Sequence, residues 1–236
     1  YAIDKRLSDI DFPDSEQAIY VLDQNINDRG VYADLDLATA AIELAAEYGD
    51  QARGRSEMIT GLDNVNSVPQ LREWVQRRVD KKLDNFDKET VKNLLDDDCA
   101  DEVREVLENR QNLSKTSIKK YTAILNSAGN DNRVRGLLQY YGAMRTGRWA
   151  GRLVQIHNLP KNQLEGAGLG WARAAALRRD RDTLDVLFDN SLPDVLSQLI
   201  RTAFVAEKGN KLVISDFSAI EARVTAWLAG ETWRMD

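Results

Sequence analysis

The segment Lys211-Leu212-Val213-Ile214-Ser215 is a short apolar run that ends on a carboxylate, Asp216, with a helix signal directly behind it. A strand that delivers a carboxylate at its end presents a metal ligand from a rigid element. A hard divalent cation such as Mg²⁺ takes carboxylate oxygen and keeps several waters. The same pattern also fits an aspartate that only caps a turn before a helix, and both readings stand at this level. A second constellation is cationic. Residues 133–181 carry ten basic and two acidic side chains, and all but one of the cations are arginine. Arginine suits bidentate contacts to phosphate and to base edges. The chain as a whole has a net charge of −6, and residues 80–108 hold eleven acidic against five basic residues. That acidic run reads as a solvated helical face. Binding to a polyanion depends on the local patch and not on the total. One histidine, His157, and one cysteine, Cys99, limit other chemistry. They exclude an intramolecular disulfide, a cysteine zinc cage and a histidine-rich metal centre, and leave a Ser-His-Asp triad only through His157.

The elements that must position these residues are mostly helical. With 236 residues, 43% hydrophobic and 30% charged, the chain can bury a substantial core. No apolar run approaches the roughly 20 residues of a membrane-spanning helix. The first residues show no basic-then-apolar signal pattern. Asp14-Ser15 predicts a helix start, with Ile19, Leu22 and Ile26 inward and Gly30 at the end. Leu37, Ala41, Leu44, Ala45 and Tyr48 predict a second helix that stops at Gly49. Ser67-Val68-Pro69-Gln70 has the form of a capping box ahead of Leu71, Trp74 and Val75. Further helices follow from Asp87, through Val103, Val106 and Leu107, and from Ser114 or Thr116 through Tyr121 and Ile124, broken at residues 129–132. Val134–Met144 reads as helix, 145–160 as loop or short strand, 161–200 as helix, and 211–215 as the clearest strand. Ser218 and Glu221 form a second capping box, ahead of Ile220, Val224, Trp227 and Leu228, with Gly230 closing that helix. The expected class is α+β. Trp149, Trp171 and Trp227 read as packing residues.

Residues 213–223, Val-Ile-Ser-Asp-Phe-Ser-Ala-Ile-Glu-Ala-Arg, resemble the first palm motif of family A DNA polymerases, D-Y-S-Q-I-E-L-R after an apolar strand. Asp216, Ser218, Ile220, Glu221 and Arg223 match in register. Arg201-Thr202-Ala203-Phe204 is similar to the family's R-x-A-F lead-in. Thr146-Gly147-Arg148, followed by Gln155-Ile156-His157-Asn158-Leu159-Pro160, resembles the T-G-R…N-L-Q-N-I-P segment without a gap. More loosely, residues 23–36 resemble the start of the polymerase region, and residues 63–71 the entry into the thumb. Residues 136–152 have the style of phage-borne members.

The resemblance implies a mainly helical thumb followed by a partial antiparallel palm sheet with flanking helices. The implied divisions are a palm-associated helical segment (1–66), a thumb (67–130), a DNA-contacting segment with an insertion over 161–198 (131–200), and the start of the palm (201–236). The implied reaction is template-directed deoxynucleotidyl transfer to a primer 3′ end, which uses two Mg²⁺ ions. Asp216 and the Phe217 carbonyl would be metal ligands, and Glu221 would lie under the incoming sugar. Arg148 would reach the minor groove, where acceptors are degenerate across base pairs. Arg145, Arg152, Gln155, His157, Asn158 and Arg223 would lie along the DNA. The implied partners are primer–template DNA, deoxynucleoside triphosphates and other replication proteins, in the cytoplasm of a bacterial host. Phe217, Ala219 and His157 depart from the family's Tyr, Gln and Gln. The nucleotide-gripping fingers and the second catalytic aspartate are not found before residue 236, so the chain by itself is expected to be inactive. Each role has a structural rival: Glu221 as a capping partner, Arg148 and Arg152 as surface cations, and His157 as a packed imidazole. A duplex-DNA-binding module and one half of a split polymerase are the alternative functions.

Overall fold

The computed structural model describes residues 5–6, 13–97, 99–188 and 191–234. The fold is mainly helical α+β with two small antiparallel sheets, and it divides into two compact units, residues 1–205 and 206–236. The first unit begins with α1 (Asp14–Arg29), β1 (Val31–Tyr32) and α2 (Leu35–Thr60). The Asp34 side chain caps α2 by accepting from the Leu37 amide at 3.0 Å. Next come α3 (Val68–Gln76), α4 (Lys88–Asp96), α5 (Asp101–Leu113) and α6 (Lys119–Ser127). β2 (Arg133–Val134) returns to pair with β1, Val31 opposite Val134. β3 (Leu138–Ala143) and β4 (Arg148–Gly151) form a hairpin, and α7 (Gly166–Leu177), α8 (Arg181–Leu187) and α9 (Leu192–Leu199) complete the packing.

Two cores hold this unit. The larger one packs Leu37, Ala41 and Leu44 of α2 against Tyr121 and Ile124 of α6, Ala172, Ala175 and Ala176 of α7, and Val195, Leu196 and Leu199 of α9. The alanines let α7 approach closely. The smaller core gathers Leu71, Trp74 and Val75 with Val91, Leu94, Val103, Val106 and Leu107 from α3, α4 and α5. The 26 residues of α2 run past both. At its far end Ser56 accepts from Asn109 at 3.2 Å, and Arg55 pairs with Glu105 at 2.7 Å. The segment read as an insertion is part of the main core, and Arg173 on α7 forms an ion pair with Asp34 at the start of α2.

Several local expectations are corrected. The second helix does not stop at Gly49. It continues to Thr60, and Gly49 lies where α5 crosses, with Leu113 at the distance of an ordinary contact from any added methyl group. Ile19, Leu22 and Ile26 of α1 stay exposed, and the buried residue on that helix is Asp23. The reason is polar: Asn27, one turn on, faces β3, donating to the Leu138 carbonyl and accepting from the Leu138 amide, both at 2.9 Å. Ser67 makes no side-chain cap. Val134–Met144 is not helix. Paired tyrosines favour a pleated surface, and β3 finds a partner strand across the turn that contains Gly147.

The second unit holds α10 (Ile220–Ala229) behind irregular chain. The expected strand at 211–215 is unpaired, with Val213 at 91% and Ile214 at 89% exposure. A strand gains stability from its ladder and from same-face packing, and no described residue supplies a ladder here. The expected Ser218–Glu221 capping box is also absent. Ala219 precedes α10 with φ +51° and makes no side-chain cap. No helix among the described residues is long and apolar enough to cross a membrane.

Candidate nucleic-acid interface

The hairpin carries the first group of candidate residues. Its register is irregular: Gln139 faces Ala150 and Ala143 faces Arg148, so residues 140–142 bulge opposite Trp149 alone. Tyr141 takes φ +50° in this bulge. The bulge sends its two tyrosines different ways. Tyr140 donates to Glu16 of α1 and meets Tyr20 edge-on, with ring centroids 5.8 Å apart. That bond to the carboxylate, aided by desolvation, pushes the Tyr140 phenol up to about 12. The Tyr141 ring instead lies over Gly147. A Cβ on Gly147 would fall 3.0 Å from the ring, and its φ of +67° disfavours any side chain. The glycine of Thr146-Gly147-Arg148 is thus needed both for the turn and for the ring above it.

Arg145 and Arg148 flank that glycine and are exposed. Arg152 follows β4, and its guanidinium donates to the Gln139 side chain. Beyond it, Leu153 and Gln155 both take positive φ near +54°, a costly conformation for side-chain-bearing residues. Three bonds to backbone carbonyls hold this path. Lys120 on α6 donates to the Val154 carbonyl at 2.8 Å, with burial pushing its amine down. Arg201 donates to the Pro160 carbonyl at 2.7 Å and to the Leu159 carbonyl at 2.8 Å. Arg201 is itself fixed, because the segment after it joins the sheet edge: the Asp34 backbone amide donates to the Ala203 carbonyl at 2.7 Å and the Val205 amide to the Tyr32 carbonyl at 3.1 Å. The short helical turn Ile156–Asn158 then places His157 against β4, where a Cβ on Gly151 would land on the imidazole. Gly151 is buried, while Gln155, His157 and Asn158 are exposed.

Arg145, Arg148, Arg152, Gln155, His157 and Asn158 are therefore presented by one hairpin and the loop that follows it. Asp216, Phe217, Glu221 and Arg223 belong to the second unit. Asp216 and Phe217 sit on the exposed irregular chain, and Arg223 donates from its side chain to the Ser218 carbonyl at 3.0 Å. Among the described residues no group of three His, Cys, Asp or Glu side chains comes together as a metal cluster. Asp216 has suitable oxygen chemistry, but a single exposed carboxylate does not fit a two-ion centre. Sequence reasoning missed three positioning residues: Lys120, Gly151 and the Arg201 guanidinium. Lys120 carries no motif. Arg201 stands in a motif already noted, yet its partners lie some forty residues away in the chain.

The whole chain is 45% identical, over 235 residues, to a DNA polymerase of Bacillus phage SP02. It spans 36% of that relative's length. No protein-family model matches the sequence, and no solved structure matches it.

Proposed function

We propose that this chain is a portion of a DNA-directed DNA polymerase of the family A type, and that the hairpin and the loop to Pro160 form its grip on primer–template DNA. The observation that carries the reading is the identity along the entire chain to the phage enzyme. The arginine-rich hairpin, and the following loop that Lys120 and Arg201 tie to the core, support it. Arg145, Arg148 and Arg152 neutralise phosphate and check groove shape, while Gln155, His157 and Asn158 supply short polar contacts along the duplex. Asp216 and the Phe217 carbonyl are the proposed Mg²⁺ ligands, Glu221 the proposed sugar contact and Arg223 a further DNA contact. Among the described residues the carboxylates do not assemble a metal cluster, so Asp216 is proposed as one ligand of that site and not as the whole of it. The exposed arginines of the hairpin, taken alone, also fit a second reading, a duplex-DNA-binding module.

Primer extension with Mg²⁺ and deoxynucleoside triphosphates, run on the protein that carries this chain, separates the readings. The expected result is incorporation that falls at least about 100-fold in Asp216→Asn, with primer–template affinity kept within about twofold. Incorporation unchanged by Asp216→Asn removes Asp216 from the reaction. Duplex binding without any incorporation supports the module, and neither binding nor incorporation overturns both readings.

A further inference from the structure

The Tyr141 ring has no part in the duplex grip described above. It is 52% exposed although its residue sits in a bulge with a left-handed backbone. An exposed aromatic side chain in a costly backbone conformation needs an account. The ring is held in place from beneath: Gly147 leaves room for it, and Tyr140 lies beside it with ring centroids 6.0 Å apart at 53°. Along the chain Arg145 lies two residues before that glycine and Arg148 one after it, and both are exposed. A half-open aromatic ring seated on a turn that carries arginines is the combination that binds single-stranded nucleic acid. The ring stacks on a base of any type and the cations hold the flanking phosphates. Bases inside a duplex offer their faces only to their neighbours, so a side-on duplex would use the arginines and leave the ring idle.

We propose that Tyr141, seated on the Arg145–Arg148 turn, is a stacking platform for one unpaired nucleotide. The inference rests on the nucleic-acid reading above and adds a strand-state preference to it. Prepaying the ring's immobilisation in the free protein lowers the entropic cost of stacking.

The test compares binding of a fluorescent oligothymidine and of a blunt duplex of equal length to the protein carrying this chain, its Tyr141→Leu and Tyr141→Phe variants, and Arg148→Ala. Leucine keeps apolar bulk over Gly147 and removes the π face, while phenylalanine keeps the face. Tyr141→Leu should weaken oligothymidine binding about 5- to 10-fold and duplex binding less than twofold, with Tyr141→Phe near the parent. Arg148→Ala should weaken both ligands. Equal losses for the two ligands, or equal behaviour of the Leu and Phe variants, overturn the platform and leave the duplex grip standing. Binding of neither ligand by the parent protein overturns the nucleic-acid reading itself. Circular dichroism of Tyr141→Leu that matches the parent separates a lost contact from a lost fold.

Discussion

The loop at 152–160 and the segment at 211–217 are both irregular, but they are held in opposite ways. Val154 and Leu159 are buried in the larger core, and Lys120 and Arg201 grip the loop's carbonyls. The segment at 211–217 is exposed at every residue, including its valine and isoleucine. Irregular backbone becomes a precise scaffold where side chains from other elements satisfy its polar groups. Without such partners, an apolar sequence with strand character forms no strand. The backbone that carries Arg152, Gln155, His157 and Asn158 is therefore anchored to the core of its unit, whereas Asp216 sits on chain with no ladder.

Substitutions should hurt in proportion to how tightly each site is held. Leu199 is fully buried, and Leu199→Ala should cost about 3 kcal/mol of unfolding free energy. Gly151→Ala should cost about 2 kcal/mol, since the added methyl displaces His157 from β4. It should also weaken duplex binding through the loop. Arg201→Ala removes two carbonyl contacts and should cost about 1–2 kcal/mol. Urea denaturation of the three variants provides the comparison. A Gly151→Ala variant as stable as the parent would mean that the imidazole moves aside freely.

The exposed pair Arg135–Asp131 tests the margin of the held region. The guanidinium hydrogen bonds hold the Asp131 carboxyl well below the usual carboxylate range. A depressed folded value contributes stability that is complete above the unfolded value of about 4 and is lost as pH falls through the lower folded value. The stability difference between the parent and Asp131→Asn should therefore hold steady from neutral pH down to about pH 5 and shrink as pH falls below about 4. A gap that stays constant over that range would refute the linkage. The smallest effect is expected at Val213→Ser, within about 0.5 kcal/mol, because the side chain is already in water. A large loss there would show that the 211–215 run is packed in solution and would erase the contrast.

Much of the helical architecture is legible from local signals. Asp87 caps α4, accepting from the Thr90 amide at 2.8 Å, and Gly30 and Gly230 terminate α1 and α10. Leu71, Trp74 and Val75 face inward as their spacing predicts. Each of these depends on residues within one or two turns, where 3.6-residue periodicity and capping chemistry operate. The misreadings share a different cause. Gly49 resembles a C-cap until α5 is seen crossing it, and the apolar stripe of α1 resembles a core face until Asn27 is seen bonded to β3. Residues 134–144 read as helix until their partner strand is found.

The candidate site divides along the same line. The amino-acid types of the arginine-rich hairpin, the lone histidine and the aspartate after an apolar run are fixed by sequence, and so is the resemblance they carry. Only the tertiary structure decides that a bulge lays Tyr141 over Gly147, that Gly151 makes room for His157, and that Arg201 closes the loop at Leu159 and Pro160. Spacing along the chain encodes interactions over a few residues. Close approach and carbonyl satisfaction between residues forty or a hundred apart are set by how the helices pack, and no local pattern records that packing.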